Sequence, residues 1–201
     1  MAVKGSDVRA FAAKAIRRIQ GSSNPHVQKA ALANLRRGAG FAPGEIPQIW
    51  GEFLMDMPEE MYSRDGRPSR AEWAVYTALT LYAVHQQGRD VQNEPMHMEE
   101  VSLGSAVGRL AGDEDEMKRV VRRLNAAATA NSPEMLANHL RGLVQLLRAE
   151  GVPLDYAALA GDIYAYQFPE TVDQVRLRWG QSFYGTYYRN QAEEESEHEE
   201  T

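Results

Sequence analysis

The sequence contains no cysteine, which excludes disulfides, thiolate metal sites and cysteine nucleophiles. It has no run approaching the roughly 20 apolar residues of a membrane span. The N-terminus, Met1 to Asp7, carries no long apolar stretch, so no secretory signal is expected there. These features predict a soluble, cytoplasmic chain without a membrane partner. Phosphate-binding Gly-x-x-x-x-Gly-Lys-Ser/Thr loops and nucleophile elbows are absent from the sequence, and nothing resembles a metal-binding His-Glu-x-x-His. Its histidines, His26, His85, His97, His139 and His198, are scattered without ligand spacing. No catalytic site is visible in the residues, and no metal and no cofactor are expected. No run alternates with period two over a useful length, so strands are not expected.

What the chain does have is enough apolar material for a core: 43% of its 201 residues are hydrophobic. The formal charge of -6 argues against a nucleic-acid partner only until its distribution is considered. Residues 191–201 hold six Glu and no Lys or Arg, and without them the basic and acidic residues balance. Residues 1–40 carry eight Lys or Arg against the single acid Asp7, whereas residues 41–100 carry four basic and eleven acidic residues. A basic surface is therefore compatible with an acidic total. Arg outnumbers Lys by 18 to 4. Arginine grips phosphate with a planar fork, although compositional drift produces the same bias.

The periodicity is helical almost throughout. Val8, Phe11, Ala12, Ala15, Ile16 and Ile19 recur at helical steps and predict a helix over 6–20. Asn24-Pro25 caps a second helix that ends at Arg37 and Gly38. A short helix over 46–57 follows a Gly/Pro-rich loop, and Ser69 with Glu72 forms a capping box for the next. A polar link from Gly88 to Glu100 marks a candidate boundary between lobes 1–95 and 96–190. Helices are then predicted over 102–110, 113–129, 132–151 and 155–166, with a last one from Pro169. The fold class is all-α, a bundle of about eight or nine helices, with residues 191–201 expected as a disordered acidic tail.

The helix over 113–129 is the most informative. At 100° per residue, Met117, Val120, Val121 and Leu124 share one side, and Lys118, Arg119, Arg122 and Arg123 centre on the other. The pattern fits a phosphate-binding face or a solvated helix face. Asp115 and Glu116 lie at the spacing that pairs with Arg119 and Lys118. Arg36 and Arg37 sit at a helix end, where the dipole alone favours cations, and where a phosphate contact is equally accessible. Lys14, Arg17, Arg18 and Lys29 extend this basic segment. Trp179, Tyr184, Tyr187 and Tyr188 suit a core or a protein interface better than base stacking.

Taken in order, several segments resemble the CasB family, the small subunit of type I-E CRISPR (Cascade) surveillance complexes. They are Ala30-Ala31-Leu32-Ala33-Asn34-Leu35-Arg36-Arg37-Gly38, the turn Pro43-Gly44-Glu45-Ile46-Pro47, and Ser102-Leu103-Gly104-x-x-x-Gly108-Arg109-Leu110. Arg119-x-x-Arg122-Arg123-Leu124, Leu140-Arg141-Gly142-Leu143-Val144 and Val175-Arg176-Leu177-Arg178-Trp179-Gly180 complete the set, over about residues 6–189. The resemblance implies an all-helical subunit without catalysis that helps stabilise guide RNA–target DNA pairing and the displaced strand. The implied partners are the CRISPR guide RNA, the target DNA, the backbone and large subunits and a second copy of the chain. The family's nucleic-acid contacts map onto Arg36, Arg37, Arg109, Arg119, Arg123 and Arg141, while Arg122 and Lys118 come from helix geometry alone. Two other functions fit the residues: a helical adaptor with protein partners only, and a helical DNA-binding regulator. The segment around Arg64 to Arg70 and the acidic tail depart from the family pattern.

Overall fold

A computed structural model describes residues 2–199. Among these residues there are nine α-helices and no strand. They are α1 Gly5–Gln20, α2 Pro25–Gly38, α3 Trp50–Phe53, α4 Arg70–His85, α5 Leu103–Gly108, α6 Glu114–Ala128, α7 Pro133–Glu150, α8 Tyr156–Tyr166 and α9 Val172–Glu199. The all-α expectation holds. No described helix is long and apolar enough to cross a membrane.

Local chemistry sets most of the boundaries. Asn24, Ser69, Ser102, Asp113, Ser132 and Asp155 each accept a backbone N–H at a helix start, satisfying one of the donors a helix leaves unpaired. Ser69 and Glu72 form the full reciprocal box. Asp113 forms only half of one, because Glu116 accepts from Gly112 N instead. Gly151 ends α7 at φ 67°, a left-handed position that glycine adopts without a Cβ penalty. The helix predicted over 46–57 is shorter in the structure: a 3-10 turn at Pro47–Ile49 and one helical turn of α3.

Helix α4 is the axle of the bundle. It is buried from Ala71 through His85 on nearly every side, the pattern of a helix surrounded by others. Helices α1, α2, α7 and α8 pack around it. Helix α6 lies on α7, and α9 runs along α5 and α8. A single apolar cluster reaches from Val8 to Tyr187 and draws on both sides of the Gly88–Glu100 link. That link is tied down by Leu154 N to Met96 O and Asp155 N to Val101 O.

The α5–α9 contact is backbone against backbone. A Cβ on Gly104 would meet the Trp179 carbonyl, the Ser182 hydroxyl and Phe183 N, and one on Gly108 would stand 2.8 Å from Phe183 O. The two glycines seat α5 flat on α9, and Arg109, which caps α5, leaves this junction directly. Helix α9 continues through 191–199, where the sequence reading expects a disordered tail. Gln, Ala and Glu are strong helix formers, which favours that continuation. Residues 200 and 201 lie outside the described residues.

Candidate nucleic-acid interface

The arginines singled out by sequence gather around α7. Arg109, Arg119, Arg122 and Arg123 line one cleft of about 850 Å³, together with Gly112, Glu116, Val120, Leu146 and Glu150. Its walls are the α5–α6 turn, the outer face of α6 and the end of α7. Burial of Val120, Leu124 and Ala127 against the bundle forces the cationic side of α6 outward.

Arg123 reaches over α7: a side chain added at Gly142 would lie 3.9 Å from its Nη1. The neighbouring residue Arg141 is half-buried, and its Nη1 donates to Ala39 O at 3.2 Å, just beyond the end of α2. The Nε of Arg141 is buried with no acceptor among the described residues. Seven residues on, the positive charge of Arg148 acts on Arg36 at the end of α2. The Arg36 guanidinium has its pKa lowered, first by partial burial and then by Arg148. Arg37, beside it, is exposed. The Tyr76 hydroxyl donates to Gly38 O at 2.9 Å and fixes this end of α2 against α4. A ribbon of arginines thus runs from the end of α2, across α7, to α6.

Many cations outside the ribbon are paired, although Lys4, Lys29, Arg64, Arg67, Arg70 and Arg189 form no ion pair among the described residues. Arg9 pairs with Asp155, Lys14 and Arg18 with Asp56, Arg17 with Glu99, Arg89 with Glu94, Arg176 with Asp173 and Arg178 with Asp162. Among the described residues, Arg36, Arg37, Arg109, Arg122, Arg123, Arg141 and Arg148 have no such carboxylate. Crowding like charges without partners is unfavourable for the fold alone and is the footprint expected of a surface that meets an anion.

Two of the expected site residues are placed differently. Lys118 turns back to Glu114 at 2.8 Å and does not line the cleft. Its charged form is stabilised by that hydrogen bond. Arg119 lines the cleft but contacts Glu116 at 3.5 Å. The Lys14–Arg17–Arg18 segment, expected to extend the basic surface, is engaged by acids distant in sequence. Arg148 belongs to the ribbon and was missed; its position seven residues after Arg141, on the same face of a helix, was the available signal.

The aromatics divide between roles. Trp179 and Tyr187 are core, and Trp179 Nε1 donates to Asp162 at 2.7 Å. Tyr184 and Tyr188 are exposed and stack on each other at 6.2 Å. Two histidines that look isolated in sequence share Tyr156 as a partner. His85 Nδ1 lies 2.8 Å from the Tyr156 hydroxyl, and His97 Nδ1 accepts from Tyr156 N. Burial pushes the His85 pKa down to about 4, and its Nε2 has no partner among the described residues. His85 is buried and His97 half-buried, and both are held by Tyr156. No group of three or more metal-ligating side chains occurs among the described residues.

Comparison with known proteins finds the same chain plan elsewhere. The family model for CRISPR-associated protein Cse2 matches residues 31–184. The crystal structure of CasB from Thermobifida fusca is similar at 34% identity and TM-score 0.71, covering 88% of this chain and 97% of that one. CasB from Thermus thermophilus shares the fold at 24% identity and TM-score 0.64, over 92% of this chain and 99% of that one. A chain of a CRISPR RNA-guided surveillance complex shares it at 22% identity and TM-score 0.71, over 92% and 98%. Comparison with curated proteins finds no match.

Proposed function

Since the chain belongs to the CRISPR-associated Cse2 (CasB) family, we propose that it is a non-catalytic small subunit of a type I-E Cascade complex that holds nucleic-acid backbone. The observation that carries this reading is a ribbon of seven arginines without carboxylate partners, gathered from the end of α2, the end of α5, α6 and α7. A guide RNA supplies sequence specificity through base pairing, so a protein beside it need only hold phosphate. The ribbon suits that task. It offers exposed guanidinium forks, such as those of Arg37, Arg109 and Arg123, and no arrangement for reading base edges.

Arg36, Arg37, Arg109, Arg122, Arg123 and Arg141 take the phosphates, with Arg148 added to the set. Arg119 contributes once Glu116 releases it, and Lys118 is secondary. The bound strands are the guide RNA–target DNA pair and the displaced DNA strand. The protein partners are the backbone and large subunits and a second copy of the chain.

The adaptor reading has an observation of its own. Leu177, Tyr184 and Tyr188 are exposed along one side of α9, beside Gly180 and Gly185, around which there is open space. That face fits a protein neighbour, and a subunit of a complex uses both surfaces. A DNA-binding regulator is disfavoured. A recognition helix presents its N-terminal residues to base edges, and the first turn of α6 carries Glu114, Asp115 and Glu116.

Charge reversal at the two ends of the ribbon separates the readings. A chain carrying Arg36→Glu, Arg37→Glu, Arg109→Glu and Arg123→Glu is expected to co-purify with the other subunits while losing single- and double-stranded DNA binding. Loss of assembly with nucleic-acid binding retained would support the adaptor instead.

A further inference from the structure

We propose that the acidic end of α9 is a built-in competitor for the arginine cleft, a tethered anion that nucleic acid must displace. The inference rests on the backbone-holding reading above and concerns how that same site is regulated.

Placement comes first. Gln191 Nε2 donates to Gly112 O at 2.7 Å, and Gly112 lines the cleft with Arg109, Arg119, Arg122 and Arg123. Helix α9 therefore passes the rim of the cleft at Gln191. Beyond that point the chain carries Glu193, Glu194, Glu195, Glu197, Glu199 and Glu200, with no Lys or Arg. At about 1.5 Å of rise per residue, Glu193 and Glu195 stand roughly 3 and 6 Å further along the axis. The first carboxylates therefore follow the Gln191 contact with the rim within about one helical turn.

Partners come second. Glu193 and Glu195 are exposed and form no ion pair among the described residues, and three of the four cleft arginines are likewise unpaired. Unpaired charges of opposite sign are thus left on the two elements that the Gln191–Gly112 hydrogen bond joins.

Stability comes third. Six carboxylates within eight residues repel one another. The five up to Glu199 lie in the last turns of α9, where the dipole disfavours negative charge. The last turns of α9 gain free energy by moving their charge toward cations, and the open ones include Arg189 on α9 itself and the unpaired arginines of the cleft. The effect is electrostatic, so it weakens with salt, and it lowers affinity without blocking the rest of the ribbon at Arg36 and Arg37.

The test compares the full chain with a form in which the six glutamates are replaced by glutamine, which keeps length and helix propensity. Affinity for a mixed-sequence 30-nucleotide single-stranded DNA is measured at 50 and 300 mM salt. Each form is also made with Arg109→Gln and Arg123→Gln. The glutamine form is expected to bind about five- to tenfold more tightly at low salt, with the gain shrinking at high salt. In the cleft variants the gain should fall toward one. Equal affinity of the full chain and the glutamine form overturns the proposal and leaves the backbone-holding reading in place. A gain that survives in the cleft variants also overturns it, because net charge alone would then be acting. No binding by any form removes the backbone-holding reading, and this inference with it.

Discussion

Replacing Gly104 or Gly108 by alanine tests whether the α5–α9 junction is as close as described. In an open helix, Gly→Ala gains about 1 kcal/mol. At Gly108 the new methyl would sit 2.8 Å from Phe183 O, about 0.6 Å inside the 3.4 Å where ordinary contact begins, and 3.1 Å from Thr186 Cβ. At Gly104 it would meet main-chain atoms of both Trp179 and Phe183. These atoms belong to a helix and cannot rotate away, so α5 must shift as a unit. Overpacking of this kind costs about 1–3 kcal/mol. The net expectation is destabilisation of about 1 kcal/mol at Gly108, and more at Gly104, where the contacts are closer. For a chain of this length each kcal/mol moves Tm by about 2–4 °C. Gly180 and Gly185 lie on the same α9 with nothing within 4 Å, so Gly180→Ala and Gly185→Ala should each raise Tm by about 2–4 °C. Thermal unfolding of the four variants side by side is the assay. A Gly104→Ala protein as stable as the parent, or a Gly180→Ala protein less stable, would refute the packing account.

Three further outcomes are expected. His85 is held neutral by burial, with a folded-state pKa of about 4 against an ordinary 6.5. Its contribution to stability is complete above pH 6.5 and is lost as pH falls toward 4, because the unfolded chain takes up the proton first; His85→Gln should flatten the stability difference in that window, measured by urea unfolding across pH. Tyr76→Phe removes one of the two hydrogen bonds to Gly38 O and leaves that from Phe41 N in place, costing about 0.5–1.5 kcal/mol in the same assay. Lys118→Ala should change DNA affinity much less than Arg123→Ala, since Lys118 is turned to Glu114; equal losses in a binding titration would contradict the assignment of Lys118 outside the cleft.

Sequence periodicity located the helices because their signals are local. The Ser69–Glu72 box and the two-sided pattern of α6 are written within a few residues. The glycines of α5 were visible as a motif, but their purpose was not, since the surface they fit lies some 75 residues away. The same limit applies to charge. Pairing of Lys118 with acids one turn upstream is a local matter, whereas Asp56 for Lys14 and Glu99 for Arg17 come from loops that only the fold brings near. Arg148 was overlooked because a lone arginine on an amphipathic helix is unremarkable until Arg36 is placed against it. His85 and Tyr156 meet across 71 residues, and no spacing rule anticipates such a contact.

The salt dependence of binding tests the central claim most directly. If about five ribbon arginines hold phosphates of duplex DNA, log affinity should fall against log salt with a slope of about -4.5, from about -0.9 per contact. The Arg122→Gln/Arg123→Gln variant should lose about 1.8 of that steepness while keeping its circular dichroism spectrum. A flat salt response in the parent, or an unchanged slope in the variant, would mean that the arginine ribbon does not hold nucleic-acid backbone.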